Sequence, residues 1–412
     1  MNEILFIFGR TPDLSWQELQ SFYPGAVRVI PDIALVKKST LNQNWDATAS
    51  LAGLGGTVKI AETLCETGEP SEEQLADLII RESPREKIEF GLSLYGVETK
   101  VKLPLSAIKN RLAMRGITAR YHEVRHGSTL SSVVVNKKHL LELVLVKTKE
   151  HWLIGKTLAV QDFEAWNQRD WGRPYADPKS GMLPPKVARM VANIAKPDLL
   201  SPDALSQLTL LDPFCGMGTI LAEALLVGWQ VIGSDQAETA VFKAQKNLAW
   251  LASIRREVKA DKYRLINCEA THISKKIPPE SIDAVVTEPY LGNSRIKSKI
   301  HPPPGEAKFE VKDLKNRIKG LEKLYLGCLR DWRKVLKAGG KVVIALPEYA
   351  IYGQKFFVKK VVDSCENLGY TILAGPLEYS RPQAVVRRQF YLFEKHDEHM
   401  IEKHDEHMTI MC

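Results

Sequence analysis

The stretch "LLDPFCGMGT", residues 210–219, decides how the second half of this 412-residue chain is built. Apolar, strand-like residues run into Asp212 and then into a turn holding Gly216 and Gly218, after which "GTILAEALLVG" takes up helical spacing. Two glycines two residues apart permit a tight turn whose backbone approaches a ligand closely. Asp212 stands at the carboxyl end of the strand, where ligands bind in open α/β sheets. Twenty-three residues later Asp235 ends the next strand, "VIGSD", where a carboxylate accepts from two ribose hydroxyls. A generic nucleotide fold shows this spacing too, and a G-x-G alone is weak evidence.

The residues before the second glycine discriminate further. Asp-Pro-Phe-Cys-Gly lacks the full G-x-G-x-x-G of a pyrophosphate binder and puts a carboxylate where a cationic amino-acid moiety is held. That pattern suits S-adenosylmethionine, whose ligand end carries an ammonium and a sulfonium and no phosphate. The turn residues Phe214, Cys215, Gly216, Gly218 and Thr219 join Asp212 and Asp235 as the expected cofactor contacts. The third strand, "YRLINCEA", ends in Glu269 and Ala270, read as a site for the adenine amino group; the competing reading of Glu269 is an ordinary surface carboxylate.

Outward from this turn, strands and helices alternate from "LPPKVARMVANIA" to about residue 395, which indicates a doubly wound, largely parallel α/β sheet over 183–395 with a last strand able to pair antiparallel. The fourth strand, "IDAVVTEPY", stops at Thr287-Glu288-Pro289-Tyr290. This quartet resembles an altered form of (Asp/Asn/Ser)-Pro-Pro-(Tyr/Phe), a catalytic motif of amino-methyltransferases. The nitrogen of a base amino group is a poor nucleophile because its lone pair is delocalised into the ring. A side-chain acceptor and a backbone carbonyl hold the NH2 so that the lone pair faces the methyl, prolines aim that carbonyl, and the aromatic ring stacks on the extracted base. Pro289 and Tyr290 retain two of these parts. Thr287 supplies a hydroxyl in place of the usual carboxylate or amide, and Glu288 replaces the first proline; the competing reading is a decayed or purely structural turn.

The first half is organised differently. Residues 1–60 read as a small α/β unit and 61–155 as a second, with a helix at "SEEQLADLII" opened by a Ser71/Gln74 capping box and two strands expected around Asn136-Lys137-Lys138-His139. Residues 156–182 have little periodicity and read as a linker. Charge is uneven: 8 Lys/Arg against 15 Asp/Glu over 1–99, then 11 against 2 over 100–149. Such a cluster favours a phosphate-rich partner, since neutralised phosphates release counterions; a solvated basic face is the alternative. The expected RNA contacts are Lys109, Arg111, Arg115, Arg120, Arg125, Lys137 and Lys138. A second run, 293–337, carries 13 Lys/Arg against 5 Asp/Glu, and its "KSKIHPPPGEAKF" has the composition of a closing loop. Arg387 and Arg388 are adjacent in a strand and point to opposite faces, so at most one serves a phosphate.

Composition excludes other classes. With 44% hydrophobic and 26% charged residues the chain buries a sizeable core. No apolar stretch reaches the roughly 18 residues of a membrane span and "MNEILFIFGR" is no secretory signal, so a cytoplasmic protein is expected. Six cysteines (65, 215, 268, 328, 365 and 412) lie far apart without a C-x-x-C pair, which argues against disulfides and zinc. "EKHDEHM" occurs at 394–400 and again at 402–408, read as a disordered tail over 396–412 rather than a metal site.

These residues carry a resemblance. Residues 180–395 resemble the class I, Rossmann-type S-adenosylmethionine-dependent methyltransferases, and the order of elements is similar to the THUMP-domain RNA methylases that form N2-methylguanine in tRNA. The stretches "RDWGRPYADPKSGMLPPKVARMVANIA", "SSVVVNKKHLLELVLV" and "SRPQAVVRRQFYLFEK" carry the narrower match. The resemblance implies a ferredoxin-like unit over 1–60, a THUMP-like RNA-binding domain over 61–155, and a catalytic domain that methylates guanine N2 in tRNA, working as a monomer without metal. Two alternatives stay open: an amino-methylase of DNA or ribosomal RNA, and a non-catalytic RNA-binding protein that retains the cofactor.

Overall fold

The computed structural model describes residues 3–97, 104–124, 127–138, 140–176, 182–197, 204–292, 304–381 and 384–396. The chain divides into two compact units, 1–167 and 168–412.

The first unit is built on one eight-stranded sheet. Its strands are β1 (Glu3–Phe8), β2 (Val27–Ile30), β3 (Ile33–Lys37), β4 (Thr57–Thr67), β5 (Lys87–Tyr95), β6 (Thr118–His122), β7 (Leu141–Lys147) and β8 (Trp152–Val160), in the order β2-β3-β1-β4-β8-β7-β5-β6. The pairs are antiparallel except β5 with β7 and β5 with β6. Alternation of apolar residues along β1 and β4 buries Phe6 and Ile60 on one face and Leu5 and Ala61 on the other, so both faces of the sheet are covered. Ser71 caps the helix Glu72–Glu82 as expected, accepting at 3.1 Å from the Gln74 N–H.

Two expectations need correction. The boundary expected at residue 60 falls inside β4 and that at 155 inside β8, and the expected linker holds the end of β8 and the helix Phe163–Trp171. Sequence periodicity marks strands but not which strands share a sheet, and β4 pairs with β8 across about ninety residues. The stretch expected to form two strands around Asn136 instead forms the helix Ser132–Lys138 followed by β7. Val133 to Val135 favour a strand by β-branching, but Ser131 Oγ accepts from the Val134 N–H and Val135 packs with Leu130 and Leu140, so local capping and burial override propensity.

The second unit has strands β9 (Thr209–Asp212), β10 (Gln230–Asp235), β11 (Tyr263–Asn267), β12 (Ile282–Thr287), β13 (Leu336–Ile351), β14 (Gln354–Phe357), β15 (Tyr370–Tyr379) and β16 (Val386–Lys395). Their order is β11-β10-β9-β12-β13-β16-β15, with β14 paired to β13. The first five are mutually parallel and β16 runs antiparallel between β13 and β15. β12 reads as an unbroken apolar run, and Ala284, Val285 and Val286 are fully buried because both faces of the sheet are covered. Order reverses at β9, with β10 on one side and β12 on the other, so a crevice opens at the carboxyl ends of these strands.

Candidate active site

Four strand ends meet at this crevice. After β9 the chain turns through Gly216 (φ 51°) and Gly218 (φ 81°), both in the left-handed region that favours glycine, and Gly218 caps the helix Thr219–Leu226. A β-carbon at Gly216 would meet nothing within 4 Å, whereas one at Gly218 would stand 3.3 Å from Ala244. Gly218 is thus required for close helix packing, and Gly216 borders open space where a ligand backbone contact fits.

The carboxylate of Asp235, at the end of β10, tightens the turn from below: Oδ2 accepts from Gly216 N–H at 3.1 Å and Oδ1 from Ala237 N–H at 2.9 Å. Each oxygen keeps a second lone-pair site for a hydroxyl. Glu269, past the end of β11, is half exposed; it accepts from Thr271 Oγ1 at 2.9 Å and pairs with His272 at 3.3 Å. Ala270 is buried, and its carbonyl accepts from Trp332 Nε1 at 2.9 Å. Phe214 meets the same indole edge-on with ring centres 6.4 Å apart. Cys215 is buried behind the turn and its thiol is pushed well up by that burial, so it is a packing residue.

Asp212 and Thr287 sit differently from expectation. Asp212 is 2% exposed, and its Oδ1 accepts both from Thr287 Oγ1 at 2.7 Å and from Phe214 N–H at 3.1 Å. Only Oδ2 is left for a ligand. Burial pushes its carboxyl up to about 7, opposed by the Thr287 and Phe214 hydrogen bonds. Thr287 is 1% exposed and its hydroxyl proton is committed to Asp212. The reading of Thr287 as the side chain that accepts from a substrate amino group is therefore corrected: in the middle of a covered sheet, the Thr287 side chain links β12 to β9.

The other members of the quartet face outward to differing degrees. Glu288 accepts from Arg388 Nε on β16, which removes Arg388 from the candidate phosphate contacts; Arg387 pairs with Glu378 at 3.5 Å. Tyr290 is 57% exposed, an unusual state for an aromatic at a strand end, and its carbonyl accepts from Tyr325 Oη at 2.6 Å. The Leu291 carbonyl accepts from Tyr349 Oη, and Gly292 (φ 84°) packs where any side chain would strike that hydroxyl. Two tyrosines thus fix the backbone that follows Pro289.

Thr219, an expected cofactor contact, has its hydroxyl engaged within the protein. It is buried and accepts from Arg173 Nη1 at 2.8 Å, while Glu223 in the same helix binds Arg169 at 2.8 Å and Arg189 at 2.6 Å. Asn247 completes this support: its Nδ2 donates at 2.9 Å to the carbonyls of Tyr175 and Met217, and its Oδ1 accepts from Tyr175 N–H. These residues, which anchor the glycine turn from behind, escape a motif search because the partners lie 30 to 72 positions apart in sequence. Arg189, a charge in the middle of the largely apolar helix Pro185–Ile194, was the one visible sign.

In the first unit the basic set divides. Arg111 pairs with Glu72 at 3.3 Å and also with Glu73, while Arg115 pairs with Glu73 and Asp77, so both are neutralised by the neighbouring helix. Lys109 and Arg120 are exposed, Arg120 on the edge strand β6. Lys137 lies 5.4 Å over the Phe163 ring and 3.9 Å from Glu164. Arg125, the Lys138 side chain, most of the proposed closing loop and the repeated tail lie outside the described residues. Among the described residues no group of three or more His, Cys, Asp or Glu is gathered as for a metal, and no helix is long and apolar enough to cross a membrane.

Strand order and crevice together define the class I methyltransferase fold. Residues 183–299 match the family model described as RMKL-like, methyltransferase domain. The tRNA (guanine(10)-N2)-dimethyltransferase of Methanothermobacter thermautotrophicus is 30% identical over 211 residues, 51% of this chain and 51% of its own. The protein of the same name from Pyrococcus abyssi is 26% identical over 222 residues, 54% of this chain and 52% of its own. The chain thus spans about half the length of the curated relatives it matches. The crystal structure of TrmN from Thermus thermophilus shares the fold over 95% of this chain and 99% of that one, with TM-score 0.53 and 18% identity.

Proposed function

We propose that this protein is an S-adenosylmethionine-dependent methyltransferase acting on N2 of guanine in tRNA. The observation that carries the reading is the convergence of four strand ends on one crevice: the open backbone at Gly216, the carboxylates of Asp235 and Glu269, and the exposed ring of Tyr290 on its tyrosine-held backbone. The names of the relatives matched over half the chain support the choice of substrate.

The residues fit the cofactor. Gly216 leaves room for it, Asp235 retains acceptor sites for ribose hydroxyls, and the half-exposed Glu269 stands at the next strand end for the adenine amino group. When bound, S-adenosylmethionine supplies a methyl group activated by its sulfonium. The chain's own task is positioning. Tyr290 stacks on the extracted base, the Glu288 carbonyl accepts from the amino group, and Tyr325 and Tyr349 keep that backbone from drifting.

Lys109, Arg120 and Lys137 form the basic surface for RNA in a THUMP-like module within the first unit, and the protein works as a cytoplasmic monomer. Nucleoside mass spectrometry of tRNA incubated with the protein and S-adenosylmethionine tests the reading. N2-methylguanosine or its dimethyl form is expected, and mapping the product asks whether it lies at position 10. No new methylated nucleoside in any RNA refutes it.

A further inference from the structure

Glu288 carries a carboxylate where the motif it resembles has a proline. Its side chain is 17% exposed, and Oε1 accepts from Nε of Arg388, itself 9% exposed. Arg388 lies opposite Pro347 on β13, and β13 is also the parallel neighbour of β12. The guanidinium reaches past that strand to the end of β12 and lies 5.6 Å over the Tyr379 ring. Burial pushes the Glu288 carboxyl up, but a guanidinium does not lose its proton in a protein, so this clamp favours the ionised carboxylate against that burial and holds it in one orientation. Oε2 receives no hydrogen bond among the described residues, and Oε1 keeps a second acceptor site. Two residues on, Tyr290 offers the stacking surface. An ionised carboxylate, which only accepts hydrogen bonds, therefore stands beside the place where an extracted base would lie.

Bases differ in what they present to such a group. The Watson–Crick edge of guanine offers two adjacent donors, N1–H and N2–H. Adenine and cytosine pair one amino donor with a ring nitrogen that carries a lone pair, which a carboxylate repels. We infer that Glu288 selects the base: its Arg388-held carboxylate accepts from N1–H and N2–H of guanine and rejects any base whose ring nitrogen is an acceptor. Arg388 is the positioning residue for Glu288. The inference rests on the function proposed above and names the group that reads the base there.

The test compares two RNAs on one protein. The methylated position is mapped with wild-type protein, and the RNA is then made with guanine or with 2-aminopurine at that position. 2-Aminopurine keeps the amino group but carries an acceptor at N1. Wild-type protein is expected to prefer guanine by about 10- to 100-fold in kcat/KM, the discrimination of one good bidentate pair. In Glu288→Gln the amide donates to N1 and accepts from the amino group of 2-aminopurine, so the preference falls to about threefold or inverts. Arg388→Met lowers the preference in the same direction by loosening the clamp. A ratio measured within one variant does not depend on how much of that variant has folded. A Glu288→Gln ratio within about twofold of wild type overturns base selection by Glu288, even though methyl transfer itself stands. Absence of transfer to either RNA by wild-type protein overturns the functional reading and this inference with it.

Discussion

Asp212→Asn should make the protein more stable at pH 8 than at pH 5 relative to wild type. The Asp212 carboxyl is 2% exposed and is pushed up to about 7 from an ordinary 3.8, chiefly by burial. A carboxyl whose folded value lies above its unfolded one binds more protons when folded, so its contribution to stability is greatest below pH 4 and is lost as pH rises through 7. From pH 5 up toward 7 the folded group stays mostly protonated while the unfolded one is ionised, and each pH unit costs up to about 1.4 kcal/mol. Wild type therefore loses roughly 2 to 3 kcal/mol between pH 5 and pH 8 from this group. Asparagine has the same shape and still accepts from Thr287 Oγ1 and Phe214 N–H through its oxygen, but it does not titrate. Urea unfolding of both proteins at pH 5 and pH 8, with the second unit monitored, measures the double difference. A gain for the variant of about 2 to 3 kcal/mol between the two pH values is expected. A difference below about 0.5 kcal/mol would show that Asp212 is ionised in the folded protein at both pH values, and the account of a carboxyl held protonated by burial would fail.

Tyr290→Ala should leave S-adenosylmethionine affinity, read by calorimetry, within about twofold and lower methyl transfer by roughly 10- to 100-fold, the worth of one base–aromatic stack. Lys59→Met strands the fully buried Glu142, which also accepts from Ser93 and from Thr157 at 2.6 Å, and should destabilise the first unit by about 3 to 5 kcal/mol in urea. The double variant Lys59→Met/Glu142→Leu should recover much of that loss, and failure to recover would mean that the pair is not the source of the cost. Removing Lys109 and Arg120 together should lower the salt dependence of RNA binding by about two ions, whereas removing the carboxylate-paired Arg111 and Arg115 should change it by less than one. Equal effects would contradict the division of the basic surface.

The legible parts of this chain are those set by neighbours in sequence. The turn at Gly216 and Gly218, the alternation of β9 to β13 with helices, and the Ser71 cap all depend on a few adjacent residues. The illegible parts depend on partners brought together by the sheet. Thr287 reads as a hydroxyl at a strand end, but the pairing of β12 with β9 turns it toward Asp212. Glu288 reads as a lost proline, and its guanidinium partner is a hundred residues away. Arg111 and Arg115 read as phosphate contacts because charge counts along the chain do not see the carboxylates of the Glu72–Glu82 helix packed against them.

The pairing of β4 with β8 also bears on how the chain is made. At about 5 to 20 residues per second, β8 leaves the ribosome roughly 5 to 20 seconds after β4, because some ninety residues separate the two. During that interval β1 can already cover one edge of β4, while the other edge stands open as a template for wrong pairing. A truncated chain ending near residue 155 would never close that edge along its whole length, whereas one ending at 167 includes all of β8. The nascent first unit is therefore most exposed to aggregation and proteolysis while residues 68–151 are being synthesised.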